Sequence, residues 1–218
     1  EGVLPGFELV LDLTHEFTPW TAMLEANGVD TSVGLIKLLA TENERAASLS
    51  VSTFLTDEFL DWQKNRDEPW FAHLSFFRPH PPYSAAGEFA TMYDPDTVPM
   101  PIAPADERHP LHEYLLSSKT NGAPADEAKL RKMRAQYYGM ISEVDTQLAR
   151  IWEALKRSGE WDNTMIMIAS DHGEMLGDHG LREKVGYWEE SHHIVGIVRD
   201  PSLTESHGKV VTQFTENV

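Results

Sequence analysis

The sequence predicts an α/β fold with a central sheet flanked by helices, and three observations carry that expectation. Two apolar runs bounded by turn residues, 164–169 and 194–199, read as buried strands. A long helix precedes the first of them. Its apolar residues Leu130, Met133, Tyr137, Ile141, Val144, Leu148, Ile151 and Leu155 step by three and four, which places them on one helical face. A helix alternating with apolar strands is the pattern of an α/β domain.

The elements follow in chain order. Phe7, Leu9, Leu11 and Leu13 alternate with Glu8, Val10 and Asp12, which predicts a short strand. The next stretch, to about residue 47, is broken by Pro19, Gly28 and Gly34 and reads as loops and short helices. Residues 52–64 predict a helix with the stripe Leu55, Phe59 and Trp62, ended by the polar run 65–69. Residues 70–77 predict a strand, and Arg78-Pro79-His80-Pro81-Pro82-Tyr83 a rigid, extended turn. Prolines recur through 84–125, at Pro95, Pro99, Pro101, Pro104, Pro110 and Pro124. That segment reads as a long surface excursion, of the kind that forms lids or substrate walls. Asp126 is placed to cap the long helix and Gly159 to stop it. The expectation is a single domain over 1–218, with the weakest pattern in 1–50.

Composition narrows the chemistry. A net charge of −17 opposes a nucleic-acid backbone, so no nucleic-acid partner is expected. An anionic substrate would then need local cations or a metal, because the global field repels it. The absence of cysteine removes disulfides, thiolate zinc sites and a cysteine nucleophile from these residues. No apolar run approaches the roughly 18 residues of a membrane span, so no membrane partner is expected. A homo-oligomer remains open, as does a cytoplasmic or periplasmic location.

The richest stretch is 170–184. Asp171 and His172 follow an apolar strand directly, the end at which open α/β sheets place their ligands. A carboxylate oxygen beside an imidazole nitrogen suits a divalent metal. The bland alternative is a strand end followed by a turn. Glu174 and Asp178 could accept hydrogen bonds from ligand histidines or be solvated loop charges. Lys184 could bind a substrate oxygen or polarise a leaving group, although most lysines are surface residues. His80 is fixed between prolines, which suits a general acid near neutral pH; packing into the Pro-Tyr loop is the alternative. His73 lies within a predicted strand and reads as structural, and His192 and His193 precede one. There is neither a Gly-x-Ser-x-Gly elbow nor a phosphate-cradling glycine loop.

Three ordered segments, 70–83, 137–145 and 170–201, together resemble the sulfatase and phosphonate monoester hydrolase family of the alkaline phosphatase superfamily. The resemblance covers about residues 50–218. It implies Asp171 and His172 as metal ligands, Lys184 as a contact to the substrate anion or leaving oxygen, and His80 as the proton donor facing the leaving group. It also implies one divalent metal (Mn, Ca or Mg), a formylglycine nucleophile and a small anionic ester substrate. The formylglycine motif Cys/Ser-x-Pro-Ser-x-Arg and the Asp ligands before it are absent from residues 1–218. The expectation is therefore an internal fragment of a longer enzyme, with the nucleophile outside this chain and little or no turnover of its own. The alternatives are a non-catalytic binding module that keeps the fold and a phosphodiesterase of the same superfamily.

Overall fold

The computed structural model describes residues 6–66, 69–213 and 215. They divide into two compact units, residues 1–94 with 135–154, and residues 95–134 with 155–218.

In the first unit the irregular N-terminal stretch resolves into α1 (Thr18–Ala26) and α2 (Leu35–Ala40), followed by two short 3₁₀ turns. Pro19 sits in the first turn of α1, where its missing N–H costs nothing. The helix predicted at 52–64 is α3 (Val51–Gln63), capped by the Ser50 hydroxyl, which accepts from the Thr53 amide at 3.0 Å. Trp20, Leu24, Leu38, Leu39 and Val51 form the core that joins these helices. The Trp20 indole N–H donates to Leu49 O at 3.0 Å, so its polar edge is satisfied on burial.

Two strand expectations fail here. Residues 7–13 and 70–77 form no ladder, and among the described residues only 166–169 and 196–199 pair as strands. Alternation can place side chains but cannot supply a hydrogen-bonding partner. These segments meet through aromatic side chains instead. Phe7 packs edge-to-face on Phe71 at 5.6 Å, and Trp70 packs on Phe59 and Trp62.

The 84–125 segment is not wholly superficial. Ala85, Ala86 and Phe89 are buried, and Met140 packs on Ala85 and Phe89. Gln136 satisfies this stretch at both ends: its Oε1 accepts from Ala85 N at 3.0 Å and its Nε2 donates to Ala90 O at 2.7 Å.

The second unit holds α4 (Pro110–Ser117), β1 (Ile166–Ala169), the one-turn helix α6 (Glu189–His192) and β2 (Gly196–Arg199). The long helix, α5 (Glu127–Ser158), contributes its two ends to this unit and residues 135–154 to the first. Asp126 caps α5 through its carboxylate, which accepts from Lys129 N at 2.9 Å. Gly159 ends it in the left-handed region at φ 78°, where a Cβ is disfavoured.

The fold class is α/β, but the sheet among the described residues is a two-stranded antiparallel ladder, with Ile166 opposite Arg199 and Ala169 opposite Gly196. The expectation of buried strands fails with it. The register pairs Met167 with Val198, and these are 72% and 59% exposed. An apolar run reports what a strand can bury, whereas burial itself requires a covering layer. Arg199 ties the ladder to the preceding turn. Its guanidinium lies 3.9 Å from the Trp161 ring centroid and donates to Trp161 O and Thr164 O.

Candidate active site and metal ligands

Asp171 and His172 stand two and three residues beyond the end of β1. His172 Nδ1 is 2.7 Å from Gly173 O. A carbonyl only accepts, so Nδ1 carries the proton and the neutral ring keeps its lone pair on Nε2. That nitrogen lies 3.6 Å from Asp171 Oδ2. The Asp171 carboxylate is largely exposed, and its Oδ1 accepts from the His172 amide at 3.0 Å. An oxygen and an imidazole nitrogen thus converge with the tautomer that metal ligation requires. The pair fits two ligands of one divalent ion. Among the described residues, no group of three or more metal-ligating side chains forms.

Gly173 holds this pair against α6. Its amide donates to Ser191 O at 2.8 Å and the next amide, Glu174 N, donates to Glu190 O at 2.8 Å. A Cβ at Gly173 would stand 2.0 Å from Glu190 O. Only a glycine permits this approach.

The loop from Glu174 to Lys184 is closed on itself. Met175 N donates to Glu183 O at 3.1 Å and Gly177 N to Leu181 O at 2.7 Å. Glu174 Oε1 accepts from both Leu176 N at 3.1 Å and Glu183 N at 2.6 Å. Asp178 Oδ1 accepts from Ile102 N at 2.6 Å. Both carboxylates, read from sequence as acceptors for histidines or as solvated charges, instead bind backbone amides and shape the loop. Met175, Leu176 and Leu181 anchor it as buried residues, and Arg134 Nη1 donates to Leu176 O at 2.8 Å. Leu176, His179 and Glu183 adopt positive φ angles of 47°, 54° and 67°. Such backbone persists only where surrounding contacts over-determine it. The exposed Lys184 leaves this closed loop directly after Glu183.

His80 belongs to the first unit. Its amide donates to Phe77 O at 3.0 Å, its Nδ1 lies 2.8 Å from Pro81 O, and its ring sits 4.9 Å from the Phe77 ring. Arg78 Nη1 donates to its carbonyl at 2.8 Å. The imidazole is therefore held in one tautomer, with Nδ1 protonated. His73, His192 and His193 are exposed.

Sequence reasoning missed three buried charged residues of the first unit: Glu42, Arg78 and Glu143. Arg78 and Glu42 form an ion pair within hydrogen-bonding distance. Glu143 lies inside the 137–145 segment, on the core face of α5, and burial pushes its carboxyl up to about 7. Glu42 opposes its ionisation further, while the Ser50 hydroxyl, the Ala86 amide and Arg78 favour it. Neither of its oxygens meets a donor at normal hydrogen-bond geometry, which makes burial the dominant influence.

The second unit thus presents an Asp-His pair just beyond a strand, and the first unit a strap that holds His80 by its own backbone. Residues 15–218 match the sulfatase family, and the chain belongs to that family. It is 37% identical over 185 residues to the multifunctional alkaline phosphatase superfamily protein PehA of Trinickia caryophylli, covering 78% of this chain and 36% of that protein. It is 30% identical over 175 residues to an arylsulfatase of Clostridium perfringens, with the same coverages of 78% and 36%. The phosphonate monoester hydrolase of Agrobacterium radiobacter superposes with a TM-score of 0.80 at 34% identity, over 93% of this chain and 45% of that one. The chain thus spans less than half the length of these relatives.

Proposed function

We propose that the whole protein hydrolyses sulfate esters or phosphonate and phosphate esters, and that this chain supplies two metal ligands and two substrate-binding side chains. The observation that carries the reading is the 3.6 Å approach of Asp171 Oδ2 to His172 Nε2 beyond β1 in a chain of the sulfatase family. Asp171 and His172 would hold one divalent ion, Mn, Ca or Mg. Such an ion neutralises charge on the oxygens of the transferring group. The ammonium of Lys184 binds an anionic oxygen of the same group, which offsets the repulsion of a chain with net charge −17.

His80 donates the proton to the departing oxygen. With Nδ1–H committed to Pro81 O, the proton transferred is the one on Nε2 of the imidazolium. Because the 218 residues contain no Cys/Ser-x-Pro-Ser-x-Arg motif, this reading puts the formylglycine nucleophile in another part of the whole protein and gives these residues alone little or no turnover.

The test is made on the protein from its complete reading frame, with an aryl sulfate, a phosphonate monoester and a phosphodiester assayed side by side. Chelator-sensitive turnover of at least one, lost in Asp171→Asn and His172→Ala, is expected. Absence of metal-dependent turnover of all three overturns the reading.

A further inference from the structure

We propose that Arg78 and Glu42 are positioning residues for His80, locking the strap that presents its imidazole. This rests on the reading of His80 as the proton donor. Arg78 is 2% exposed, and its guanidinium spends all five N–H groups. Nε and Nη2 both donate to Glu42 Oε2, the first at 2.7 Å. Nη2 also donates to Leu39 O at 2.8 Å. Nη1 donates to His80 O at 2.8 Å and to Pro82 O at 2.7 Å.

Those last two carbonyls flank Pro81, whose own carbonyl receives the His80 Nδ1 proton at 2.8 Å. One planar fork therefore fixes the backbone on both sides of the group that orients the ring. The fork is itself tied down. Glu42 Oε1 accepts from Val51 N at 2.9 Å, at the start of α3, and Leu39 lies in the last turn of α2. The anchor belongs to the helical core of the first unit, and through Nη1 it holds the segment that carries His80. A lysine here would keep the charge facing Glu42 but lose the planar, five-donor geometry.

The experiment measures how kcat/KM depends on leaving-group pKa in the full-length protein, for wild type, His80→Ala, Arg78→Lys and Glu42→Gln. Removing a general acid slows esters with poor leaving groups far more than nitrophenyl esters. His80→Ala is expected to steepen the dependence. Arg78→Lys and Glu42→Gln are expected to steepen it in the same direction, losing about 10- to 100-fold on poor leaving groups and little on nitrophenyl esters. Thermal unfolding checks that each variant is folded, and a merely structural defect would lower all substrates alike.

If His80→Ala leaves the dependence unchanged, the reading of His80 fails. If His80→Ala steepens it while folded Arg78→Lys and Glu42→Gln run parallel to wild type, the positioning role is overturned. Should Arg78→Lys not fold, Glu42→Gln decides alone. Should neither fold, the pair serves folding itself and the proposal falls.

Discussion

Glu174 Oε1 accepts a 2.6 Å hydrogen bond from the backbone amide of Glu183, closing across the loop that ends at Lys184. The same oxygen accepts from Leu176 N. Glu174→Ala leaves two amides in this tight loop without their carboxylate. A loss of roughly 1–3 kcal/mol is expected from urea unfolding, because hydrogen bonds to a charged acceptor are the stronger kind. Glu174→Gln keeps an acceptor oxygen and is expected to recover about half of that. Equal stability of the alanine variant and wild type would show that the backbone closes the loop unaided.

Gly139 lies in α5 where a Cβ would stand 2.3 Å from Phe89 O and 2.9 Å from the Ala85 methyl. An alanine normally favours a helix over glycine by about 1 kcal/mol. Here the contact atom is a buried backbone carbonyl that cannot rotate away. Gly139→Ala is therefore expected to destabilise by roughly 1–3 kcal/mol, against its helix propensity. A raised melting temperature would contradict this packing.

Glu143 makes stability fall as pH rises. Its carboxyl is raised from 4.5 to about 7 in the folded state, so between those values the native protein holds a proton that the unfolded chain has released. The stabilisation is complete below pH 4.5 and is lost as pH climbs through about 7. The lost increment is about 3 kcal/mol at 1.36 kcal/mol per pH unit. Many groups titrate, so the informative quantity is the stability difference between wild type and Glu143→Gln, measured by urea unfolding at several pH values. Wild type is expected to lose ground to the variant as pH rises. A difference that stays constant with pH would rule out this assignment.

Gly173 controls how the Asp171-His172 pair is presented. A methyl group there meets Glu190 O at 2.0 Å and forces the segment away from α6. Gly173→Ala is expected to weaken Mn²⁺ binding to the full-length protein by tenfold or more, in the range found when groups that orient ligands are lost. Calorimetric titration reads this directly, and unchanged affinity would mean that the pair does not depend on this contact.

The sequence by itself determined the helices with strong periodicity and clear ends. It placed α3 within one residue of its observed bounds, and α5 between its Asp126 cap and Gly159 stop. These are local decisions, made by hydrogen bonds and side-chain spacing within one segment. It also marked the motifs that place the chain in its family. Only the tertiary structure decided which apolar runs became strands, since Phe7, Leu9 and 70–77 had the pattern but no ladder to join. It alone brought Glu42 to Arg78 across 36 positions, and made Glu174 and Asp178, which the sequence left as either acceptors for histidines or solvated loop charges, into clasps for backbone amides. Such pairings depend on where distant segments pack, and no periodicity along the chain encodes them.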